Sequence, residues 1–171
     1  MNTKLMTLCA VAVSSVALAQ APSAVVLTPG KMEPGAELKL SCPAGTKQIG
    51  GLKTALEASL CVKVGPNSTR LFHGPYVAFW PNGNKQAEGQ YEDGNRGGHW
   101  VFFDEQGVKT GETNFKDDSY HGTRIEFFPN GKVKLEETYV MGKRQGAQKT
   151  YDPAGKVTVT QFQDDRPIAA K

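Results

Sequence analysis

Hydrophobic and polar residues alternate in short runs over much of the 171-residue chain, and from residue 73 onward the pattern recurs every 24 residues. Glycines and aromatic residues form columns at this period: Gly74, Gly98, Gly122 and Gly146; Gly83, Gly107, Gly131 and Gly155; Phe79, Phe103, Phe127 and Tyr151; and Tyr91, Phe115 and Tyr139. A fixed period of this length is typical of repeat architectures, in which each unit buries its apolar surface against its neighbours. The sequence therefore predicts about four repeated units.

Each unit resembles a β-hairpin. In the first unit an alternating run at 76–80 leads into Pro81-Asn82-Gly83, and a second run at 85–91 returns. Proline and asparagine suit the central positions of a type I turn, and the glycine supplies the positive φ of a bulged hairpin. The turns between units are Asp93-Gly94, Asp117-Asp118, Met141-Gly142 and Asp164-Asp165. This chemistry predicts an all-β fold with eight antiparallel strands in sequential order from Tyr76 to Phe162, without a long helix.

Alternation along a strand assigns the side chains to two faces. One face is apolar in every unit, with Val77, Phe79, Val101, Phe103, Ile125, Phe127 and Tyr151. We call it the uniform face and expect it to fix the register. Because Phe103 and Phe127 lie in interior units of this face, truncation of either to alanine is expected to cost roughly 3–5 kcal/mol if burial is complete. A thin sheet that buries them only partly favours the low end of that range.

The opposite, graded face is aromatic in its first half and polar in its last, where Gln148, Thr150 and Asp152 lie. Tryptophan and tyrosine are frequent anchors of interfaces. The aromatic half is therefore the candidate binding face, with Tyr76, Trp80, Trp100 and Phe102. Two interpretations stay open: the preceding segment 38–72 covers these rings, or a partner does.

The first residues are typical of a secretory signal peptide. Lys4 precedes an apolar run at 5–18, and Ala17-Leu18-Ala19 provides a small-x-small cleavage pattern. A membrane anchor is the weaker alternative because the run is short for a bilayer span. We divide the chain into a signal peptide (1–19), a flexible proline-containing leader (20–37), an N-terminal cap segment (38–72), the repeats (73–167) and a tail (168–171). We expect an exported protein, either periplasmic or secreted.

Two cysteines remain after the predicted cleavage, Cys42 and Cys61. An even number in an exported chain favours a disulfide, which would pin the N-terminal cap segment. Closing a loop of eighteen intervening residues is worth about 3 kcal/mol in the chain-entropy model. Two free buried thiols are the alternative, and the spacing does not fit a CxxC redox or zinc motif.

The composition indicates which classes of partner to expect. The chain has 20 Lys and Arg against 17 Asp and Glu, so removal of Lys4 leaves 19 against 17 and a charge near +2. This balance argues against nucleic acid and anionic membrane surfaces as partners. Beyond residue 19 no apolar stretch is long enough for an integral membrane span. A nucleophile elbow and a phosphate-binding glycine loop are also missing, so the sequence predicts neither catalysis nor a cofactor.

Histidines and glutamates that recur along the repeats are candidates for a metal site or a catalytic site. Strand spacing would separate His73 from His121 by roughly 19 Å, so one ion could not bind both. The column of Glu88, Glu112 and Glu136 has a spacing of about 10 Å. Pairing across strands with lysines such as Lys85 or Lys109 explains that column more simply than catalysis. We therefore predict no metal site.

The repeat motif resembles the MORN family in its bacterial variant form. The resemblance rests on His73-Gly74-x5-Trp80-Pro81-Asn82-Gly83 and His121-Gly122-x5-Phe128-Pro129-Asn130-Gly131, with Glu88 and Tyr91 or Glu136 and Tyr139 following. It implies an elongated, twisted, antiparallel β-meander that mediates protein or lipid contacts. Many bacterial members are described as antitoxin components.

These observations predict an exported, non-catalytic repeat protein that binds or scaffolds a protein partner. An antitoxin-like or immunity-like protein that neutralises a partner is one alternative. A module that binds a glycan or another envelope component is a second alternative, and no motif supports a glycan or lipid ligand directly.

Overall fold

The computed structural model describes residues 38–52, 54 and 56–169. The predicted signal peptide and leader, and residues 170–171 of the predicted tail, lie outside this range. The described residues form one open sheet of eleven antiparallel strands in sequential order. The strands are β1 (Lys47–Gly50), β2 (Ala58–Val64), β3 (Arg70–Phe79), β4 (Lys85–Glu92), β5 (Asn95–Phe103), β6 (Lys109–Lys116), β7 (Ser119–Phe127), β8 (Val133–Val140), β9 (Lys143–Tyr151), β10 (Val157–Gln163) and β11 (Arg166–Ile168).

The eight strands predicted from Tyr76 to Phe162 are confirmed as β3 to β10. The only helical element of the described residues is a short 3-10 turn at Pro66–Ser68, so the prediction of no long helix holds for them. The segment before the repeats adds β1 and β2 to the same sheet, and β3 runs across residue 73, where the repeats were predicted to begin. Among the described residues between β1 and β2, Leu52 and Leu56 lie in turns, and β2 begins at Ala58.

The two kinds of turn follow from local sequence. In the first kind the glycine column Gly83, Gly107, Gly131 and Gly155 has positive φ and follows the turn, as predicted. In the second kind both central residues have positive φ, as a type I′ turn requires. Asp117 and Asp118 adopt φ of 49° and 62°, and even Met141 has φ of 46° before Gly142. Asparagine, aspartate and glycine tolerate this region best, which explains their recurrence there.

The other glycine column lies inside strands rather than at turns. Gly74, Gly98, Gly122 and Gly146 belong to β3, β5, β7 and β9 and have φ between 62° and 101°. The pairing register shifts near Gly98, where Glu88 pairs with Val101 but Gln90 pairs with Gly97. A glycine of positive φ within a strand is typical of a β-bulge. These glycines therefore bend and twist the sheet once per unit.

The principal core lies on the graded face rather than on the uniform face. Its buried members include Leu60 of β2, Ala78 of β3, Trp100 of β5 and Phe115 of β6, and five half-buried residues pack against them: Ile49, Phe72, Tyr76, Tyr91 and Phe102. The Trp100 side chain is only 3% exposed. Its ring lies over Gly89 of β4, where an added Cβ would come within 2.3 Å of the Trp100 Cδ2 atom. A glycine therefore makes the space for this ring.

The uniform face is less buried than its composition predicted. Val77 and Phe79 are buried, but Phe103 and Phe127 are only half-buried, as expected for a thin sheet. The sheet is a single layer, and lysines cover these rings: the Lys85 Nζ atom lies 5.7 Å from the centre of the Phe103 ring, and Lys109 Nζ lies 4.9 Å from that of Phe127. A lysine stem shields an aromatic ring only partly because its ammonium group stays in solvent.

The predicted Cys42–Cys61 disulfide is present, with the two Cα atoms 5.6 Å apart. It anchors residues 38–46 on the side of the sheet away from the Trp100 ring, since Leu60 and Val62, the neighbours of Cys61, belong to the Trp100 cluster. Pro43 lies against Gly74, where an added Cβ would come within 2.5 Å of Pro43 Cδ. Residues 58–62 of β2 are consequently buried on both sides.

Truncation of Trp100 should cost more stability than truncation of Phe127. For Trp100→Ala we expect the free energy of unfolding to fall by about 3–5 kcal/mol, the range for large buried aromatic residues. For the half-buried Phe127→Ala the loss should be roughly half as large. Urea denaturation followed by tyrosine fluorescence and circular dichroism provides the measurement. An equal or larger loss for Phe127→Ala would contradict the placement of the core.

Loss of the disulfide should lower the free energy of unfolding by about 3 kcal/mol, because the closed loop limits the entropy of the unfolded chain. Cys42→Ala tests this expectation, since Cys42 is the less buried partner and its truncation leaves a small defect. Denaturation with and without a reductant supplies the control. Reduction should destabilise the parent protein and leave Cys42→Ala unchanged; the opposite pattern would mean that the bond does not carry the effect.

Candidate functional site

An open depression of about 460 Å³ lies on the graded face, over β3, β4 and β5. All four residues of the candidate binding face line it. The other lining residues are Ala78, Gln86, Ala87, Tyr91, Arg96 and Phe103. The four predicted residues differ in exposure: Trp100 is buried, whereas Tyr76, Trp80 and Phe102 are half-buried. Trp100 therefore forms the floor of the depression, and the other three offer accessible surface.

The floor is organised by contacts between aromatic rings. The Trp100 ring centre lies 5.5 Å from that of Tyr76, 5.3 Å from that of Tyr91 and 6.3 Å from that of Phe102. Tyr91 also meets Phe72 edge to face at 5.2 Å. Aromatic pairs at such separations add stabilisation beyond the area that they bury. Burial raises the pKa values of Tyr76 and Tyr91, so both phenols stay neutral at physiological pH.

Trp80 sits at the first turn of the first unit and is held there by backbone bonds. Its backbone N–H donates to the Asn84 carbonyl at 2.8 Å, and its indole Nε1 donates to the Phe103 carbonyl at 3.1 Å. The side chains of Asn82 and Asn84 both donate to the Glu105 carbonyl of the next turn. The first two turns are thereby tied together, and the ring of Trp80 is positioned before any ligand arrives.

Arg96 supplies a cationic side chain at the depression. Its Nε donates to Asp118 Oδ1 at 2.8 Å, and its guanidinium lies 4.1 Å from the centre of the Phe115 ring. Hydrogen bonds from the Arg96 side chain and backbone hold the pKa of Asp118 below its usual value. Asp118 follows Asp117 in the turn between β6 and β7. The arginine is therefore fixed in direction by the neighbouring unit.

Sequence reasoning missed Gln86, Arg96 and Tyr91 as parts of this site. Tyr91 was visible as a member of its aromatic column, and Arg96 recurs as Arg144 two units later. Both arginines form the same pair of contacts, since Arg144 bonds Asp165 at 3.3 Å and lies 4.2 Å from the centre of the Phe162 ring. A search for charged as well as aromatic columns would have found Arg96.

Beyond the depression the graded face becomes a polar network. Arg124 on β7 donates to Glu137 Oε1 on β8 at 2.5 Å and also pairs with Glu126. The Tyr139 hydroxyl donates to the same Glu137 oxygen at 3.0 Å. Burial, followed by this hydrogen bond and the Glu137 charge, raises the pKa of Tyr139 to about 12. Arg124 takes the position that Trp100 holds one unit earlier, so an ion pair replaces the tryptophan there.

The histidines and the column of glutamates make local pairs. His73 Nδ1 lies 2.7 Å from Asp93 Oδ1, and His99 Nε2 lies 3.2 Å from Glu112 Oε2. Within the described residues no group of three or more His, Cys, Asp or Glu side chains could hold a metal ion.

Lys85 and Lys109 do pair with Glu88 and Glu112, at 2.8 Å and 2.6 Å, but along one strand rather than across two. Our prediction of cross-strand pairs was wrong for these lysines. The register shift between Ala78 and Phe79 leaves one extra residue on β4, which brings Lys85 and Glu88 to the same face. In the glutamate column, Glu136 pairs with Lys149 of the neighbouring strand at 3.3 Å, as predicted.

Two segments of the chain, residues 72–93 and 120–141, match the MORN repeat variant family. These are the first and third units of the predicted array, so the resemblance inferred from the sequence motif is confirmed there. MORN repeats are non-enzymatic modules that bind proteins or membranes. No curated protein matches the chain. Among the described residues, no helix has the length and apolar character needed to cross a membrane.

The polar network should make stability depend on alkaline pH. Because the Tyr139 pKa is raised to about 12 in the folded state from 10.0, the unfolded chain loses this proton first. The stabilisation that the Tyr139 hydroxyl contributes to the folded state is therefore complete below pH 10 and is lost as the pH rises towards 12. Tyr139→Phe should reduce this loss without abolishing it, since Tyr76 and Tyr91 also have raised pKa values. Urea denaturation across this range tests it; identical profiles for both proteins would contradict it.

Proposed function

We propose that this protein is an exported, non-catalytic binding module that captures a protein partner through the aromatic depression. The observation that carries the proposal is the depression itself, where accessible rings surround a buried tryptophan. Interfaces commonly use tryptophan, tyrosine and arginine as anchors, and the depression contains all three.

The rings of Tyr76, Trp80 and Phe102 support binding because they are accessible and already held in place. Trp80 is fixed by its bond to the Phe103 carbonyl, and Tyr76 and Phe102 rest against Trp100. A ligand that contacts them therefore orders few side chains, and the entropic cost of binding is low. The surface suits an apolar side chain of a partner inserted between the rings.

The polar groups at the depression favour a protein over a purely apolar ligand. Gln86 offers an amide, and Arg96 offers guanidinium N–H groups in a direction set by Asp118 and Phe115. Polar groups beside an apolar centre are the usual composition of a protein interface. Backbone carbonyls or a carboxylate of the partner would complement these donors.

Export is the second part of the proposal. The pattern at residues 1–19 is that of a signal peptide, and the disulfide between Cys42 and Cys61 is a bond that persists in oxidising compartments. A periplasmic or secreted location accommodates both features. Catalysis has no part in the proposal, since MORN repeats act as non-enzymatic modules and the depression contains no nucleophile paired with a base.

Trp80→Ala should abolish capture of the partner from the native envelope while lowering the melting temperature only slightly. Trp80 is half-buried at a turn, so its removal deletes contact surface rather than the core. Affinity purification of the tagged protein, followed by mass spectrometry, identifies what Trp80→Ala loses. Trp100→Ala is unsuitable for this purpose because it would destabilise the fold.

The matched control is Phe128→Ala. Phe128 occupies the same position two units later, before Pro129-Asn130-Gly131, and does not line the depression. Phe128→Ala should retain the partner; loss of capture by both variants would contradict a site at the depression. The identity of the captured molecule also distinguishes the two alternatives. A captured toxin would favour the antitoxin-like function, and a captured glycan would favour the glycan-binding module over a protein-binding one.

A further inference from the structure

The last long strand of the sheet leaves part of its outer edge open. β11 pairs with Gln161, Phe162 and Gln163 of β10 only. Among the described residues, no strand pairs with the outer edge of 157–160. This stretch reads Val157-Thr158-Val159-Thr160, which is β-branched throughout and lacks the proline, lysine or glycine that usually protects an edge. Pro167 and Arg166 provide such protection on β11 instead.

An exposed apolar patch adjoins this open edge. Val157, Val159 and Ile168 are 46%, 52% and 47% exposed, and the pairing of Gln161 with Ile168 places all three on the uniform face. In the first two units the position of Val157 is occupied by Lys85 and Lys109, which lie over Phe103 and Phe127 of the following strand pair. The last two units have valine at this position, Val133 and Val157, and Val157 is left 46% exposed.

The open edge is complementary to itself. If two copies of β10 pair antiparallel about a two-fold axis at Thr158, Val157 of each copy faces Val159 of the other on one face. Thr158 meets its own counterpart on the opposite face, and Lys156 faces Thr160, so no like charges meet. Cross-strand pairs of β-branched residues and of threonines are favourable, and a two-fold axis is the usual symmetry of a dimer.

We propose that a second copy of this chain covers this edge, through antiparallel pairing of the 157–160 segments. The pairing satisfies the open backbone edge and buries Val157 and Val159 together. It joins two eleven-stranded sheets into one continuous sheet. This inference concerns a surface remote from the depression, so its outcome is independent of the proposed binding function.

Charge substitutions test the dimer in the full chain. Sedimentation equilibrium of the parent protein should give twice the chain mass with reversible dissociation. The double variant Val157→Lys with Val159→Lys should be monomeric, as should Val157→Glu with Val159→Glu, because like charges would face each other across the axis. An equimolar mixture of the two variants should restore a dimer. Val140→Lys, an equally exposed valine at the end of β8, is the control and should stay dimeric.

A cysteine at the axis tests the register. Opposed residues of an antiparallel pair lie about 4.5–5.5 Å apart at Cα, within the range that a disulfide spans. Thr158→Cys should therefore form a covalent dimer on oxidation, whereas Thr150→Cys, its partner one strand inward, should not. Circular dichroism confirms folding of each variant. A monomeric parent protein, a dimer that survives the double lysine substitution, or equal cross-linking at both positions would overturn the proposal.

Discussion

The structure depends on the fact that, beyond the segment 38–46 at its first strands, the single-layer sheet has no second layer to cover either face. Every apolar side chain must therefore be shielded by neighbours from adjacent strands. Large rings achieve this on the graded face, where Trp100 extends over Gly89 to meet Tyr76 and Tyr91. On the uniform face, lysine side chains perform the same task over Phe103 and Phe127. The two faces solve one problem with different chemistry.

The same constraint explains how the depression arises. The Trp100 ring lies over Gly89 of the neighbouring strand β4 and leaves an open space above it. The half-buried rings of Tyr76, Trp80 and Phe102 surround that space. Where Arg124 replaces tryptophan, it pairs with the carboxylate of Glu137. Ring contacts continue from Phe115 to Tyr120 and Tyr139, but no second tryptophan forms a floor there. The site is thus confined to the first half of the array because only there do a glycine and a tryptophan face each other across β4 and β5.

Bulges give the repeat its second organising feature. The column of Gly98 and its counterparts adds residues within strands. A second shift lies near the first turn of each of the first three units, and in the first unit it brings Lys85 to the face of Glu88. Each shift changes which face the following residues occupy. Side chains therefore alternate strictly between the two faces only in the stretches between bulges. At a bulge, residues three apart on one strand reach the same face and form ion pairs that a regular strand would not allow.

The sequence by itself determined the hairpins, their order and the disulfide. Turn residues such as Pro81-Asn82-Gly83 set the conformation of a few neighbouring residues, and the period of 24 residues is visible in the sequence itself. Neither the turns nor the number of units therefore depends on distant contacts. Only the tertiary structure decided which face carries the core and which rings stay accessible. The burial of Trp100 depends on Gly89 of the neighbouring strand, on Leu60 of β2 and on the register shifts between them. Those are contacts between strands, and the alternation of residues along one strand does not contain them.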